Sequence, residues 1–218
     1  NNTTMLLHLP KHATALFLLV LTIVPCNGLQ LQIGPLLSTC VNACQRGCTE
    51  IRTVQASREK NGNNLKVELK DAQDPRSALT EADEAAQRAI IGSLRAEWGE
   101  ELRIVGEEDS GDFETLLAGM TFDPLDRDRF EDEIGETADI DSSLVTIFVD
   151  PLDGTREFVE GRLENCQVLV GIAIDGEAVA GVIGMPFPDG TLETEPTLIY
   201  GLDGLGTGVI GSLLGREF

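Results

Sequence analysis

Between residues 36 and 60, apolar side chains return every three or four positions at Val41, Cys44, Cys48, Ile51 and Val54, which predicts an amphipathic helix. The NGNN run at 61–64 ends it as a turn. Apolar and charged residues then alternate over Leu65 to Leu69, the pattern of a short half-buried strand. A second helical pattern covers Ser77 to Trp98, with Thr80 placed to cap it and Glu81 and Asp83 in its first turn. Leu102 to Val105 reads as a strand that runs into Gly106, Glu107, Glu108 and Asp109.

From Asp109 to Ser143 the periodicity lapses. Acids are frequent, β-branched residues are few, and Gly and Pro are scattered, so a long surface excursion is expected, partly helical and partly mobile. Strand patterns return at Leu144 to Val149, Gln167 to Ile174, Ala178 to Met185 and Leu198 to Gly201, with Asp175-Gly176 as the turn of a hairpin. The glycine-rich tail after Gly201 predicts neither a helix cap nor another strand. Helix, strand, helix, strand and then a run of antiparallel strands is an α+β layered arrangement, not the regular alternation of a doubly wound sheet.

Composition changes this picture at three points. The formal net charge of −21 excludes a protein that grips a nucleic acid polymer by neutralising its phosphates. It leaves room for a small phosphorylated ligand, because bound divalent cations reverse the local sign of an acidic site. Of the 5 cysteines, Cys40, Cys44 and Cys48 recur every fourth residue and so share a helical face as buried free thiols, while Cys26 and Cys166 stand apart. Zinc is a poor reading, since no CxxC occurs and both histidines, His8 and His12, stand near the N-terminus.

The N-terminus reads as a targeting segment. Met5 looks like the true start, and Lys11 precedes an apolar run from Ala13 to Val24 that is too short to span a bilayer and suits a signal peptide. Cys26 and Gly28 supply the small residues for a cut after Gly28, so residues 1–28 are expected to be upstream sequence and leader. The expected destination is the secretory pathway or an organelle lumen, a plastid included. No later segment is apolar enough for a stable membrane span.

The chemistry concentrates in LVTIFVDPLDGTRE, residues 144–157. Acids at a strand end often only cap a turn. Here Asp150 and Asp153 follow a uniformly apolar strand, Pro151 stiffens the backbone, Gly154 permits a conformation closed to other residues, and Thr155 adds a hydroxyl. Two hard carboxylates with a backbone carbonyl between them make a partial cage for Mg²⁺. A second DPLD at Asp123 to Asp126 has no strand behind it and is followed by Arg-Asp-Arg, so it reads as a solvated loop. Glu107 and Glu108 end another strand after a glycine and could close a two-metal site from beside it.

IVGEED at 104–109 together with FVDPLDGTREFVEG at 148–161 resembles the inositol monophosphatase superfamily of Mg²⁺-dependent, lithium-sensitive phosphomonoesterases. TREFVEG, VLVGIAIDGEAVAGVIGMPF and LTEADEAAQ resemble its 3′(2′),5′-bisphosphate nucleotidase branch, over about residues 40–215. The resemblance implies the layered α+β fold of the sugar phosphatases and two or three Mg²⁺ ions. Glu107, Asp150, Asp153 and the Leu152 carbonyl would hold the metals, and Asp83 and Thr155 would activate water. Asp153, Gly154 and Thr155 would meet a small phosphorylated substrate, such as 3′-phosphoadenosine 5′-phosphate.

The family's further metal-binding aspartate in a Trp-Asp motif is not matched, because the single tryptophan, Trp98, precedes Gly99. Residues 36–218 are therefore expected to be the N-terminal portion of such a phosphatase, with the second α/β half missing. Inositol phosphates or fructose bisphosphate remain open as substrates. A truncated, non-catalytic module also remains open.

Overall fold

The computed structural model describes residues 29–62, 67–69, 78–108, 117 and 119–212. The leader at 1–28, the first residues of the strand expected at Leu65, and the tail from 213 lie outside the described residues, as do 109–116 and 118 within the acidic excursion.

The first expected helix is α1, Ile33–Lys60, which starts three residues early because Pro35 falls in its first turn, where its missing N–H has no helical partner to lose. Leu36, Cys40, Val41, Cys44, Cys48 and Ile51 are completely buried. Cys40, Cys44, Cys48 and Cys166 are free thiols, and burial pushes Cys40 up to about 12.

The second helix, α2, is Glu81–Trp98. Thr80 caps it with Glu81 and Asp83 in the first turn, as expected, but Ala78–Thr80, included in the helical pattern, form strand β3, which pairs antiparallel with β2, Val67–Leu69. Thr80 is thus both the last strand residue and the helix cap, with an extended backbone at φ −126°. Trp98 at the far end donates its indole N–H to Thr39 Oγ1 of α1 at 3.0 Å.

Both helices lie on one face of a six-stranded sheet. Its strands are β4 (Arg103–Gly106), β6 (Val145–Asp153), β7 (Gln167–Ile174), β8 (Glu177–Met185), β9 (Thr197–Leu202) and β10 (Gly206–Ile210). Their order across the sheet is β10-β9-β8-β7-β6-β4, antiparallel throughout except that β4 and β6 run parallel. Val145, Ile147, Val149, Val168, Val170 and Ile172 point into the helical layer and are buried. The β7–β8 turn has Asp175 at φ +51° and Gly176 at φ +83°, the left-handed pair that a two-residue hairpin demands.

The glycine-rich tail does form a strand, contrary to expectation. β10 pairs with β9 in regular register, and Gly208 is required because a Cβ there would sit 2.3 Å from the Tyr200 ring. Glycines lower strand propensity but here make room for a neighbour.

The excursion is also less loose than expected. It carries β5, Ile140–Asp141, paired with β1, Gln30–Leu31, and one helical turn, α3, Glu131–Ile134. In the first DPLD, Asp123, Pro124 and Asp126 are exposed, as a solvated loop requires, but the loop is anchored. Leu125 is buried, and Ser38 Oγ of α1 donates to the Asp126 carbonyl at 2.6 Å. Arg52 of α1 fastens another loop by donating to the carbonyls of Pro186, Leu192 and Thr194.

The sheet's opposite face has no helix on it among the described residues. Strand register aligns Val105, Phe148, Gly171, Gly181 and Gly201 in one row there, and Asp150, Leu169, Ile183, Ile199 and Val209 in the next. Phe148 is 50% exposed. Among the described residues no helix is long and apolar enough to cross a membrane.

The core between α1 and β8 is tight at Gly184, where an added Cβ would lie 2.5 Å from Cys48 Sγ and 2.8 Å from Cys44 Sγ. Gly184→Ala is expected to destabilise the chain by about 1–3 kcal/mol through overpacking. Adding Cys48→Ala should recover part of that loss by restoring volume. Urea unfolding of both variants measures this, and a Gly184→Ala chain as stable as the parent would contradict the packing.

Candidate active site

The site is built where α2 begins and where β4 and β6 end. At the start of α2, the Thr80 amide and hydroxyl donate to Asp83 Oδ2 at 2.8 and 2.6 Å, while the Ala82 amide donates to Thr80 Oγ1 at 3.2 Å. This reciprocal cap engages one carboxylate oxygen and fixes the other. The fixed oxygen, Asp83 Oδ1, accepts from the Thr155 hydroxyl at 2.9 Å. Asp83 is fully buried. Burial raises its pKa, and the hydrogen bonds from Thr80 and Thr155 offset part of that.

Thr155 Oγ1 also lies 3.0 Å from the Leu152 carbonyl. A hydroxyl has one proton, so donation to Asp83 leaves the Leu152 oxygen free to serve as an acceptor or ligand. Thr155 opens α4, Thr155–Glu160, immediately after Gly154. Gly154 has φ +95°, and a Cβ there would stand 2.7 Å from the Asn165 carbonyl oxygen. The left-handed backbone and the close approach both demand glycine.

The DPLD segment is not the simple tight turn that the sequence suggests. β6 continues through it: Asp150 pairs with Leu169 and Asp153 with Gln167, so one residue more stands on β6 than on β7. This is a β-bulge, and it accommodates Pro151, which has no N–H to give to the ladder. The Leu152 amide turns back to Asp150 Oδ1 at 3.2 Å.

Glu107 reaches Asp150 because β4 and β6 run parallel and in register, Gly106 opposite Val149. The Glu107 amide extends the pairing by donating to the Val149 carbonyl at 2.8 Å. The Glu107 and Asp150 carboxyls then stand in hydrogen-bonding contact. Burial, that contact and the nearby charges of Glu107 and Asp153 push Asp150 up to about 7.

Gln87, one helical turn beyond Asp83, completes the arrangement and was not singled out from the sequence. Its Nε2 donates to the Glu108 carbonyl at 2.8 Å, and its Oε1 accepts from the Glu108 amide at 3.1 Å. A polar residue four positions after Asp83, on a helix face otherwise filled by Ala82, Ala86 and Ile90, was the available signal.

The expected residues do not all converge. Among the described residues, no group of three or more His, Cys, Asp or Glu side chains is arranged to hold a metal ion. Asp83 and Thr155 meet, as do Glu107 and Asp150; Asp153 is exposed and acts on Asp150 through its charge. The donor chemistry nevertheless fits a hard divalent cation. Crowded carboxylates that hold a proton near neutrality, with a carbonyl beside them, would be relieved by such an ion. Asp123 and Asp126 belong elsewhere: their loop is fastened to Glu97 near the end of α2, about 20 Å along the helix from Asp83. Cys166 is a buried thiol at the margin, pushed up to about 12 mainly by burial.

Beside Glu107 and Asp150 a cleft of about 400 Å³ opens onto the uncovered sheet face, walled by Val105, Phe148, Leu169 and Gly171.

Comparison with known proteins gives a consistent result. The model of the inositol monophosphatase family matches residues 36–214. The 3′(2′),5′-bisphosphate nucleotidase 1 of Dictyostelium discoideum is 37% identical over 161 residues, covering 73% of this chain and 49% of that protein. Inositol monophosphatase 3 of Xenopus laevis is 27% identical over 160 residues, covering 73% and 44%. The crystal structure of the extragenic suppressor protein suhB from Bartonella henselae superposes with a TM-score of 0.53 at 21% identity, over 80% of this chain and 51% of that one, and shows the shared fold. The chain spans about half the length of the curated relatives it matches.

The raised Asp150 has a testable sign. Its pKa of about 7 in the folded chain exceeds the ordinary 3.8, so its contribution to stability is complete below about pH 4 and is lost as pH rises through about 7. A cation must displace the shared proton, so its affinity rises over the same upper range. The increase in melting temperature on adding Mg²⁺ is therefore expected to be larger at pH 8 than at pH 6. Asp150→Asn should abolish the difference. Equal increases at both pH values in the parent chain would contradict the proton-sharing pair.

Proposed function

The chain belongs to the inositol monophosphatase family, and from that premise we propose that it acts in a Mg²⁺-dependent phosphomonoesterase that removes the 3′-phosphate of 3′-phosphoadenosine 5′-phosphate. The observation that carries the reading is the Asp83–Thr155 hydrogen bond of 2.9 Å beside the paired carboxyls of Glu107 and Asp150. The relatives favour this substrate: several bisphosphate nucleotidases are 36–37% identical over their matched lengths, against 27% for inositol monophosphatase 3.

In this reading Glu107, Asp150, Asp153 and the Leu152 carbonyl hold Mg²⁺. The ions supply a water of lowered pKa and neutralise charge on the phosphoryl oxygens. Thr155 Oγ1 accepts a proton from the attacking water as it passes its own to Asp83 Oδ1. Asp83 suits that task because burial makes its carboxylate a better base, while the Thr80 cap keeps Oδ1 aimed at the hydroxyl. Backbone amides at Gly154 and Thr155, together with Asp153, meet the substrate phosphate and sugar. The cleft beside the paired carboxyls is walled in part by Phe148 and Leu169, which would offer the rest of the substrate an apolar surface.

An inositol phosphate is the second reading, favoured by the match to inositol monophosphatase 3. A third is a non-catalytic module of the same fold.

Phosphate release from 3′-phosphoadenosine 5′-phosphate and from inositol 1-phosphate, with Mg²⁺ and with added lithium, separates these readings. The nucleotide is expected to be the better substrate. Thr155→Val should lower kcat by about 10²–10⁴-fold, the usual contribution of a positioned proton-transfer group, and Asp150→Asn should abolish turnover. Faster release from inositol 1-phosphate would shift the substrate class. A folded chain that binds Mg²⁺ and hydrolyses neither would favour the non-catalytic module.

A further inference from the structure

Fully buried glutamines in helices are uncommon, because an amide left without partners in the interior costs more than its packing returns. Gln87 is 1% exposed, yet both ends of its amide are used, and both on one residue: Nε2 on the Glu108 carbonyl and Oε1 on the Glu108 amide. Glu108 directly follows Glu107, so the bond to the Glu108 amide fixes the peptide plane on the C-terminal side of Glu107, while the Glu107 amide, bonded to the Val149 carbonyl, fixes the plane on its N-terminal side.

The opposing strand is shaped to admit it. A Cβ at Gly106 would lie 2.4 Å from Gln87 Oε1, so glycine is what lets the amide reach the backbone. Asp83, one turn earlier on α2, holds Thr155 beyond the end of β6. A single helix face thus grips both strand ends that carry the candidate ligands, one through a carboxylate and one through an amide.

We propose that Gln87 is a positioning residue for the cation site: it sets the Glu107–Glu108 backbone so that the Glu107 carboxyl faces Asp150. The inference rests on the metal-dependent reading above and adds a residue and a mechanism to it. Groups that orient metal ligands typically change metal affinity or activity by about 10–100-fold when removed.

The test uses the full chain with Gln87→Met, which keeps length and bulk but loses both hydrogen bonds, and Gly106→Ala, which displaces the amide from the other side. Ile90→Val, buried on the same helix, controls for simple loss of stability. The Mg²⁺ concentration that gives half the maximal rise in melting temperature is measured for each, together with hydrogen exchange at the Glu108 amide in metal-free protein. Gln87→Met and Gly106→Ala are expected to raise the Mg²⁺ requirement about tenfold or more and to speed Glu108 exchange. Ile90→Val should lower the melting temperature and change neither.

Should Gln87→Met fail to fold, Gly106→Ala carries the comparison alone. If wild type responds to Mg²⁺ and the variants respond at the same concentration with Glu108 still protected, the role of Gln87 is overturned while the metal-dependent reading stands. A wild-type chain with no response to Mg²⁺ overturns both.

Discussion

Two carboxyl groups of like charge, Glu107 and Asp150, are held in contact at the edge of an apolar sheet, and holding them there is unfavourable. Partial burial first, then the contact and repulsion with Glu107, push Asp150 up to about 7. Such a pair persists only where the surrounding structure over-determines its position. Much of this fold serves that end: parallel register between β4 and β6, a bulge at Pro151, and a helix whose first two turns reach both strand ends.

The burden falls on neutral and backbone groups, since another nearby acid would add to the repulsion. Gln87 is uncharged and works on the Glu108 main chain. The Glu107 amide and the Val149 carbonyl prolong the ladder between the two strands. Gly154 turns the chain where no side chain fits. Asp83, which does carry an acid, is separated from the pair by function: one oxygen is consumed by its own helix cap and the other by Thr155. The bulk of the core, α1 and the apolar side of α2 against the inner sheet face, supplies the rigidity without taking part in the chemistry.

The uncovered sheet face gives the site its setting. Its two register rows end at Val105 and Asp150, so the apolar wall of the cleft and the acidic cluster share one surface. Val105, Phe148, Ile183 and Val209 stand exposed along it.

The elements themselves were legible where one physical signal ruled. The 3.6-residue spacing of Cys44, Cys48 and Ile51 specified α1, and Asp175-Gly176 specified the hairpin, because burial and left-handed backbone leave direct marks in residue type. Signals that compete were misread: glycines hid β10, and strand β3 took Ala78 and Leu79 from the front of the second helical pattern. By itself the sequence determined the α+β class and which acids stand at the ends of apolar strands, and the motif resemblance indicated the family, since these depend on residue type and local spacing. Only the tertiary structure decided that Glu107 meets Asp150, that Asp83 Oδ1 meets Thr155, and that Gln87 grips Glu108. Those contacts join residues 21 to 72 positions apart, and they depend on strand register and helix docking, which no local pattern encodes.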